Sequence, residues 1–471
     1  MNVVLLSTYD LGHQPFGLAS PAAWLREAGA SVTCNDLALD DLDEQAVLDA
    51  GLIAVYLPMH TATRLAGALA PRLKRLNPTA HLCFYGLYAP LNEDFLHRLG
   101  GRTILGGEFE SGLVSLYERL SANGALASAK PGPSRRAQGE PLISLAKQRF
   151  RVPDRTGLPP LERYAHLETG NGGRRTAGYT EASRGCKHVC RHCPVVPVYG
   201  GRFRIVQLDA VMEDVRRQVA AGAGHITFGD PDFFNGVGHA MRLVGALNAE
   251  FPRLTYDVTI KVEHLLKQAR HLGTLARTGC LFVTTAVESV DDRVLGLLDK
   301  GHTRADFVEA VGLARDAGLT LSPTFIPFTP WTTLEGYLDL LAVVAELDLV
   351  AHVAPIQLGI RLLLPRGSWL LRVPELEAHL GDFDPDALSY RWSNPDPRVD
   401  GLWEKVARVV EEGEGAGRRD VFEGIWRLGR DALGLPPAPA PVGRHAEACP
   451  PHLSEPWYCC AEPTSGQFAR L

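Results

Sequence analysis

From residue 2 to about residue 125, short apolar runs alternate with stretches whose apolar residues recur at helical spacing. The runs at 3–7, 31–35, 53–57, 80–85 and 103–105 read as strands, and 21–28 as a helix stopped by Gly29. Such alternation predicts an α/β body with a doubly wound parallel sheet over residues 1–125. Residues 126–150, through Ala129-Lys-Pro-Gly-Pro-Ser-Arg-Arg, read as a linker. The beat resumes from Thr176. Strands are predicted at 178–183, 225–228, 255–260, 281–286, 319–326 and 352–361, with helices at 208–221, 236–248, 304–317 and 334–347. Six strand–helix units within 151–371 predict a second α/β body. In a parallel barrel its ligands gather at the C-terminal strand ends. Residues 372–434 read as a charged helical extension seated by Trp392, Trp403 and Trp426. Residues 435–471 read as a proline-rich spacer and a cysteine-rich tail.

At 471 residues the chain exceeds one typical core, in keeping with two domains and an appendage. A net charge of −6 gives no electrostatic reason to expect nucleic acid. No apolar run approaches a membrane span. Met1-Asn-Val-Val-Leu-Leu-Ser reads as a first strand, without a basic leader.

The cysteines change the picture. Cys186, Cys190 and Cys193 stand in Cys-x-x-x-Cys-x-x-Cys. A [4Fe–4S] cubane takes four ligands, so a loop supplying three thiolates leaves one iron open to a substrate or cofactor. The competing reading is a zinc site, which usually pairs Cys-x-x-Cys with a second distant pair that is not found here. Three of the nine cysteines in such a cluster fit a reducing cytoplasm better than a disulfide framework. The tail holds Cys449, Cys459 and Cys460. Neighbouring α-carbons lie about 3.8 Å apart, short of the roughly 4.4–6.8 Å that disulfides favour. Adjacent thiolates suit a soft ion or metalloid, with a redox or incidental pair as the alternative. The roughly 24 residues from Leu435 to Cys459 reach up to about 80 Å when extended, so the tail is able to fold back over the barrel.

The three-cysteine loop after the strand at 178–183 resembles the radical S-adenosylmethionine (SAM) superfamily. His192 replaces the aromatic residue usual before the third cysteine. The resemblance implies a partial (β/α)6 barrel, a [4Fe–4S] cluster and SAM chelated at the open iron. By the same resemblance, Phe228-Gly-Asp-Pro-Asp-Phe-Phe234 assigns Gly229, Asp230 and Asp232 to the SAM amino group, with a plain turn as the competing role. Lys261, with Glu263, and Glu288 become ribose, carboxylate or substrate contacts, or else solvated charges. Arg361 becomes a partner of the SAM carboxylate. Residues 1–125 are similar to the Rossmann-type cobalamin-binding domain that precedes many such barrels. The Asp-x-His-x-x-Gly signature of the cobalt ligand is absent, so His13 reads as a surface or loop histidine and bound cobalamin is not expected.

The ending Tyr458-Cys-Cys-Ala-Glu-Pro463 resembles the CUAEP/CCAEP-tail radical SAM proteins, among them the radical SAM enzyme of arsinothricin biosynthesis. That likeness implies transfer of the 3-amino-3-carboxypropyl group of SAM to trivalent arsenic held by Cys459 and Cys460, with Cys449 a third candidate thiolate. The product would be hydroxyarsinothricin, and a reductant such as flavodoxin or ferredoxin would supply the electron. The competing readings are a cobalamin-dependent radical SAM methyltransferase and a metalloid-binding protein whose cluster is structural.

Overall fold

The apolar runs at the front of the chain pair side by side in parallel. They form β1 (Asn2–Ser7), β2 (Ser31–Asp36), β3 (Leu52–Tyr56), β4 (His81–Tyr85), β5 (Thr103–Gly107) and β6 (Ile143–Ser144), in the order β2-β1-β3-β4-β5-β6. The computed structural model describes residues 1–126, 139–413, 415–441, 449–455 and 462–471. β3 is buried along its whole length, as expected of a parallel strand covered on both faces. Helices Phe16–Glu27 and Glu110–Leu126 cover one face through Leu18, Leu25, Leu113 and Leu116, and His60–Leu76 covers the other. The first helix begins at Phe16, earlier than its apolar pattern indicates, and carries Pro21 inside it. Pro21 has no N–H for the Gly17 carbonyl. The Tyr85 hydroxyl donates to that carbonyl instead, at 2.8 Å. Strand order reverses between β1 and β3, and a crevice at the C-terminal ends there is the usual ligand site of such sheets.

The second body contains β7 (His166–Glu168), β8 (Arg174–Thr180), β9 (Ser183–Gly185), β10 (Phe203–Ile205), β11 (His225–Phe228), β12 (Thr255–Thr259), β13 (Cys280–Glu288) and β14 (Thr320–Phe325). Strands β8, β11, β12, β13 and β14 run parallel as a partial barrel. Helices Leu208–Ala220, Val237–Glu250, Arg304–Asp316 and Leu334–Glu346 pack outside it. Arg304–Asp316 opens on a capping box between Thr303 and Asp306. β9 and β10 form a small antiparallel pair that carries the three-cysteine loop.

Two expectations are corrected. The sixth strand at 352–361 does not form. Pro355 starts the short 3-10 turn Pro355–Leu358, and a single bridge from Phe328 to Arg361 replaces a ladder. Residues 372–434 are not helical throughout, since β15 (Leu380–Asp384) and β16 (Ser389–Trp392) make an antiparallel hairpin. Helices Pro397–Glu412 and Arg418–Ala432 follow, and Phe422 and Ile425 of the second join the barrel core.

The tail returns to the body. β17 (His452–Leu453) pairs antiparallel with β7, Leu453 opposite Leu167, and becomes the seventh strand of the barrel sheet. No helix among the described residues is long and apolar enough to cross a membrane.

Arg155, in the crossing between the two bodies, holds Asp214 through two hydrogen bonds of 3.1 and 2.9 Å, and also reaches Gln14 and the Tyr179 carbonyl. Asp214 is fully buried. Arg155→Ala would leave that carboxylate with the Gln218 amide at 3.1 Å and no guanidinium, and breaking such a pair costs about 3–5 kcal/mol. Chemical denaturation under anaerobic conditions should show that loss. A loss below about 1 kcal/mol would mean that the pair does not hold the bodies together.

Candidate active site

The three-cysteine loop is fixed at both ends. Gly185, the last residue of β9, has φ +72°, and a Cβ there would lie 2.4 Å from the Tyr199 ring, so only glycine fits. Asn235 accepts from the Lys187 amide at 3.2 Å, donates to the Gly185 carbonyl at 3.3 Å and lies 3.7 Å from the Cys186 sulfur. On the other side, the Arg191 amide bonds the Leu298 carbonyl and the Leu370 amide bonds the Arg191 carbonyl. Cys190 is buried, and Cys186 and Cys193 are half-buried. Burial pushes the Cys186 thiol up to about 11 and the Cys193 thiol higher still. Loading a metal centre must therefore expel thiol protons.

The spacing of the sulfurs decides against zinc. Thiolates on one zinc ion, each about 2.3 Å from it, lie within about 4.6 Å of one another. Among the described residues, the thiols of Cys186, Cys190 and Cys193 do not form a group within 4.8 Å. A cubane spreads its thiolates over separate iron corners and tolerates that separation.

Beside the loop lies a cavity of about 380 Å³, between the C-terminal ends of the barrel strands and those of β1, β3, β4 and β5. That is within the range of small-molecule sites. Cys193, His192, Gly229, Asp230 and Glu288 line it. Gly229 sits so close to Tyr179 that a Cβ would fall 1.7 Å from the phenol oxygen. Asp230 accepts from the Ala182 amide at 2.9 Å and the Ser183 hydroxyl at 2.5 Å. Burial pushes its carboxyl up to about 7 against those two donors. Glu288 has φ +69°, a left-handed conformation that non-glycine residues rarely adopt, and it faces His192 Nε2 at 3.2 Å and Lys300 Nζ at 3.3 Å. Burial alone would raise its carboxyl, but Lys300 and then His192 outweigh that and hold it at about 2.

Other predicted residues lie elsewhere. Asp232 and Lys261 are absent from the cavity wall. Asp232 turns toward His264 and His188, and Lys261 pairs with Glu263 at 3.0 Å. Arg361 reaches the wall, but its guanidinium already donates to Asp400 at 2.8 Å and to the Trp392 carbonyl at 3.0 Å, stacked on Trp392 and Trp403. His13 is not a surface residue. It lines the cavity, buried against Tyr179, and burial lowers its imidazole to about 4. Cys449 lies near Thr320 and His352, at the N-terminal end of β14, the end of the barrel away from the cavity. It is removed from the set of thiolates beside the site. Cys459 and Cys460 lie outside the described residues.

Some residues of the site had no motif to reveal them. Arg184, just before the cysteine loop, is enclosed by Glu110 at 2.6 Å, Glu181 at 2.5 Å and Glu108 at 3.5 Å. Tyr9 donates to Glu455 at 2.7 Å. Glu462 meets His60 at 2.9 Å and pairs with Arg64. The tail residues on either side of 456–461 are thus tied beside Asp10 and Met59 of the cavity wall.

Residues 180–341 match the Radical SAM superfamily model, and a radical SAM domain therefore occupies this part of the chain. A hopanoid C-3 methylase of Methylococcus capsulatus is 26% identical over 228 residues, covering 48% of this chain and 43% of that protein. A tRNA-2-methylthio-N(6)-dimethylallyladenosine synthase of Chlorobium phaeobacteroides is 28% identical, over 44% of this chain and 47% of that protein. The matched region thus spans less than half of these relatives. Among solved structures, TsrM of Kitasatospora setae, a radical SAM methyltransferase with tryptophan and a SAM analogue bound, matches 100% of this chain and 98% of its own at TM-score 0.66 and 16% identity. OxsB, a cobalamin-dependent SAM radical enzyme with aqua-cobalamin bound, matches 88% of this chain and 67% of its own at TM-score 0.66 and 14% identity. These likenesses show the shared fold. A radical SAM domain implies a [4Fe–4S] cluster and SAM, and the three cysteines beside the cavity fit that pair.

Two outcomes follow from this geometry. Cys190→Ala should lose most of the cluster's iron and all SAM cleavage, read by iron analysis and chromatography. Full iron and activity would overturn the ligand assignment. Separately, burial pushes the Glu108 carboxyl up from 4.5 to about 7, although Arg184 pulls the other way. Its stabilising contribution is fully present below about pH 4.5 and is lost as pH rises to about 7, up to about 3 kcal/mol. Glu108→Gln should therefore melt with a shallower decline between about pH 5 and pH 8 than the parent. Parallel melting curves would contradict that.

Proposed function

We propose that this radical SAM protein is a transferase that moves the 3-amino-3-carboxypropyl group of SAM to trivalent arsenic, the hydroxyarsinothricin-forming step of arsinothricin biosynthesis. The observation that carries the reading is the course of the tail. β17 leads the chain along the barrel edge, and Glu455 and Glu462 are tied to Tyr9, His60 and Arg64 on the rim of the cavity. Cys459 and Cys460 fall between those two anchors in sequence. Paired thiolates favour a soft acceptor such as As(III). Holding the acceptor beside the cavity makes its encounter with a short-lived carbon fragment nearly unimolecular.

Within this reading, Cys186, Cys190 and Cys193 would hold the cluster, which would supply the electron for cleaving a carbon–sulfur bond of SAM. The electron enters from a low-potential donor such as flavodoxin or ferredoxin. Gly229 and Asp230, at the end of β11 in the cavity wall, would meet the SAM amino group. Asp230 holds a proton to about pH 7 and becomes an acceptor for an ammonium group when ionised. Glu288 stays ionised between His192 and Lys300 and presents a fixed carboxylate to the same cavity. Aromatic and aliphatic wall residues such as Phe109, Tyr179 and Ile326 keep water from the reacting carbon.

A second reading is cobalamin-dependent methyl transfer. The overall structural likeness to TsrM and OxsB favours it, since both are solved with cobalamin. The expectation against cobalamin rests on the missing histidine signature alone and is weakened by these neighbours. His13 lines this cavity beside Tyr179, outside the usual signature spacing.

One anaerobic assay separates the readings. Reduced protein with SAM and arsenite should yield methylthioadenosine and an arsenic–carbon product. Ser at both Cys459 and Cys460 should abolish that product while sparing the cluster spectrum. Stoichiometric retention of added hydroxocobalamin, with methylated product and no arsenic–carbon compound, would establish the second reading in place of the first.

A further inference from the structure

Away from the cavity wall, three side chains from three different loops converge behind the cysteine loop. His188 lies between Cys186 and Cys190, Asp232 follows β11, and His264 belongs to the short helix Val262–Lys267 after β12. One ligand atom from each lies within 4.8 Å of the other two, the one group of this kind among the described residues. The Asp232 carboxylate is 2.6 Å from His264 Nδ1 and 3.6 Å from His188 Nε2, and the Nε2 atoms of the two histidines are 3.3 Å apart.

We propose that His188, Asp232 and His264 form a mononuclear site for a divalent transition ion, separate from the iron–sulfur centre. The inference does not depend on the identity of the acceptor.

Three features point to an ion rather than a hydrogen-bonded relay. First, Asp232 Oδ2 and His264 Nδ1 are deeply buried, and neither has a hydrogen-bond partner although they nearly touch. A relay would align the N–H with the carboxylate oxygen. Here the two approach off that line, as lone pairs do when both aim at a third point. Second, Asp232 is a carboxylate at 1% exposure, and the nearby lysine, Lys261, is already paired with Glu263. A buried carboxylate is expensive unless a cation or full hydrogen bonding compensates it. Third, the outer atoms of the ligands are oriented. His188 Nδ1 faces Lys261 Nζ at 3.4 Å and Glu263 at 3.5 Å, and Asp232 Oδ1 accepts from the Phe234 amide at 3.0 Å. Such outer partners are what orient metal ligands.

Two imidazoles and one carboxylate, with the remaining positions open, suit Zn²⁺ or Fe²⁺ and disfavour Mg²⁺ or Ca²⁺, which take oxygen ligands. An ion here would lock the loop between Cys186 and Cys190 to the ends of β11 and β12.

The test uses the full-length chain with its cluster reconstituted, then exposed to Zn²⁺ alone and desalted under anaerobic conditions. Elemental analysis should find about one zinc per chain beside the cluster iron. His264→Asn and Asp232→Asn should weaken zinc binding by at least about tenfold while iron and sulfide stay at parent levels. Zinc X-ray absorption of the parent protein should show two imidazoles, with oxygen and no sulfur around the ion. That spectrum decides the matter even if a variant sheds iron. No zinc on the parent, undiminished zinc on both variants, or sulfur in the zinc shell would each overturn the site.

Discussion

A single guanidinium stands where the two bodies meet. Arg184 is buried among Glu108, Glu110 and Glu181, with the rings of Phe16, Phe109 and Phe150 about it. Two of those carboxylates belong to the N-terminal sheet, and the arginine belongs to the strand that opens into the cysteine loop. Glu181 pairs with Arg184 from within its own body, while Glu110 meets the same guanidinium across the contact at 2.6 Å, and leaving a buried charge unpaired costs several kcal/mol. Docking of the bodies and placement of the cysteine loop are therefore one event. The cavity exists only once it has occurred, because its walls come from both sides of that contact.

Much of this was legible in the sequence because the determining features are local. The run His225-Ile-Thr-Phe228 is bounded by glycines, and it forms a strand with those limits. Helix limits around 208–220 and 334–346 follow from periodicity and capping within a residue or so. The cysteine spacing likewise points to a loop that holds a cluster. What was not legible depends on distant partners. The stretch at 352–361 has strand-like composition, but Pro355 turns it into a 3-10 segment on which Gln357 accepts from the Phe325 amide. Asp232 follows Asp230 by two residues, and only the fold decides that one faces the cavity and the other the histidines. Tyr9 and Glu455 carry no motif at all, and the ending that contains Glu462 does not announce its pairing with His60 and Arg64.

The same distinction explains the charged groups. Arg361 ends a segment in the position where a carboxylate-binding fork is expected, and composition supports that reading. The two indoles and Asp400 that hold it come from the hairpin and the helix beyond, which sequence periodicity does not bring together. His13 stands in a polar turn, yet the neighbouring barrel covers it through Tyr179. Interfaces between bodies are the places where local reading of polarity fails.

The pairing of Leu453 with Leu167 has a temporal side. During synthesis β7 emerges long before β17, so the edge of the barrel sheet stays unpaired while the rest of the barrel is made. Open edges invite pairing with other chains. Closure of that edge by the tail turns completion of the polypeptide into a step of assembly. It comes only after the three-cysteine loop and both bodies have been made. A nascent chain thus carries its three-cysteine loop well before it carries the strand that closes the barrel edge, and the order of translation becomes an order of assembly.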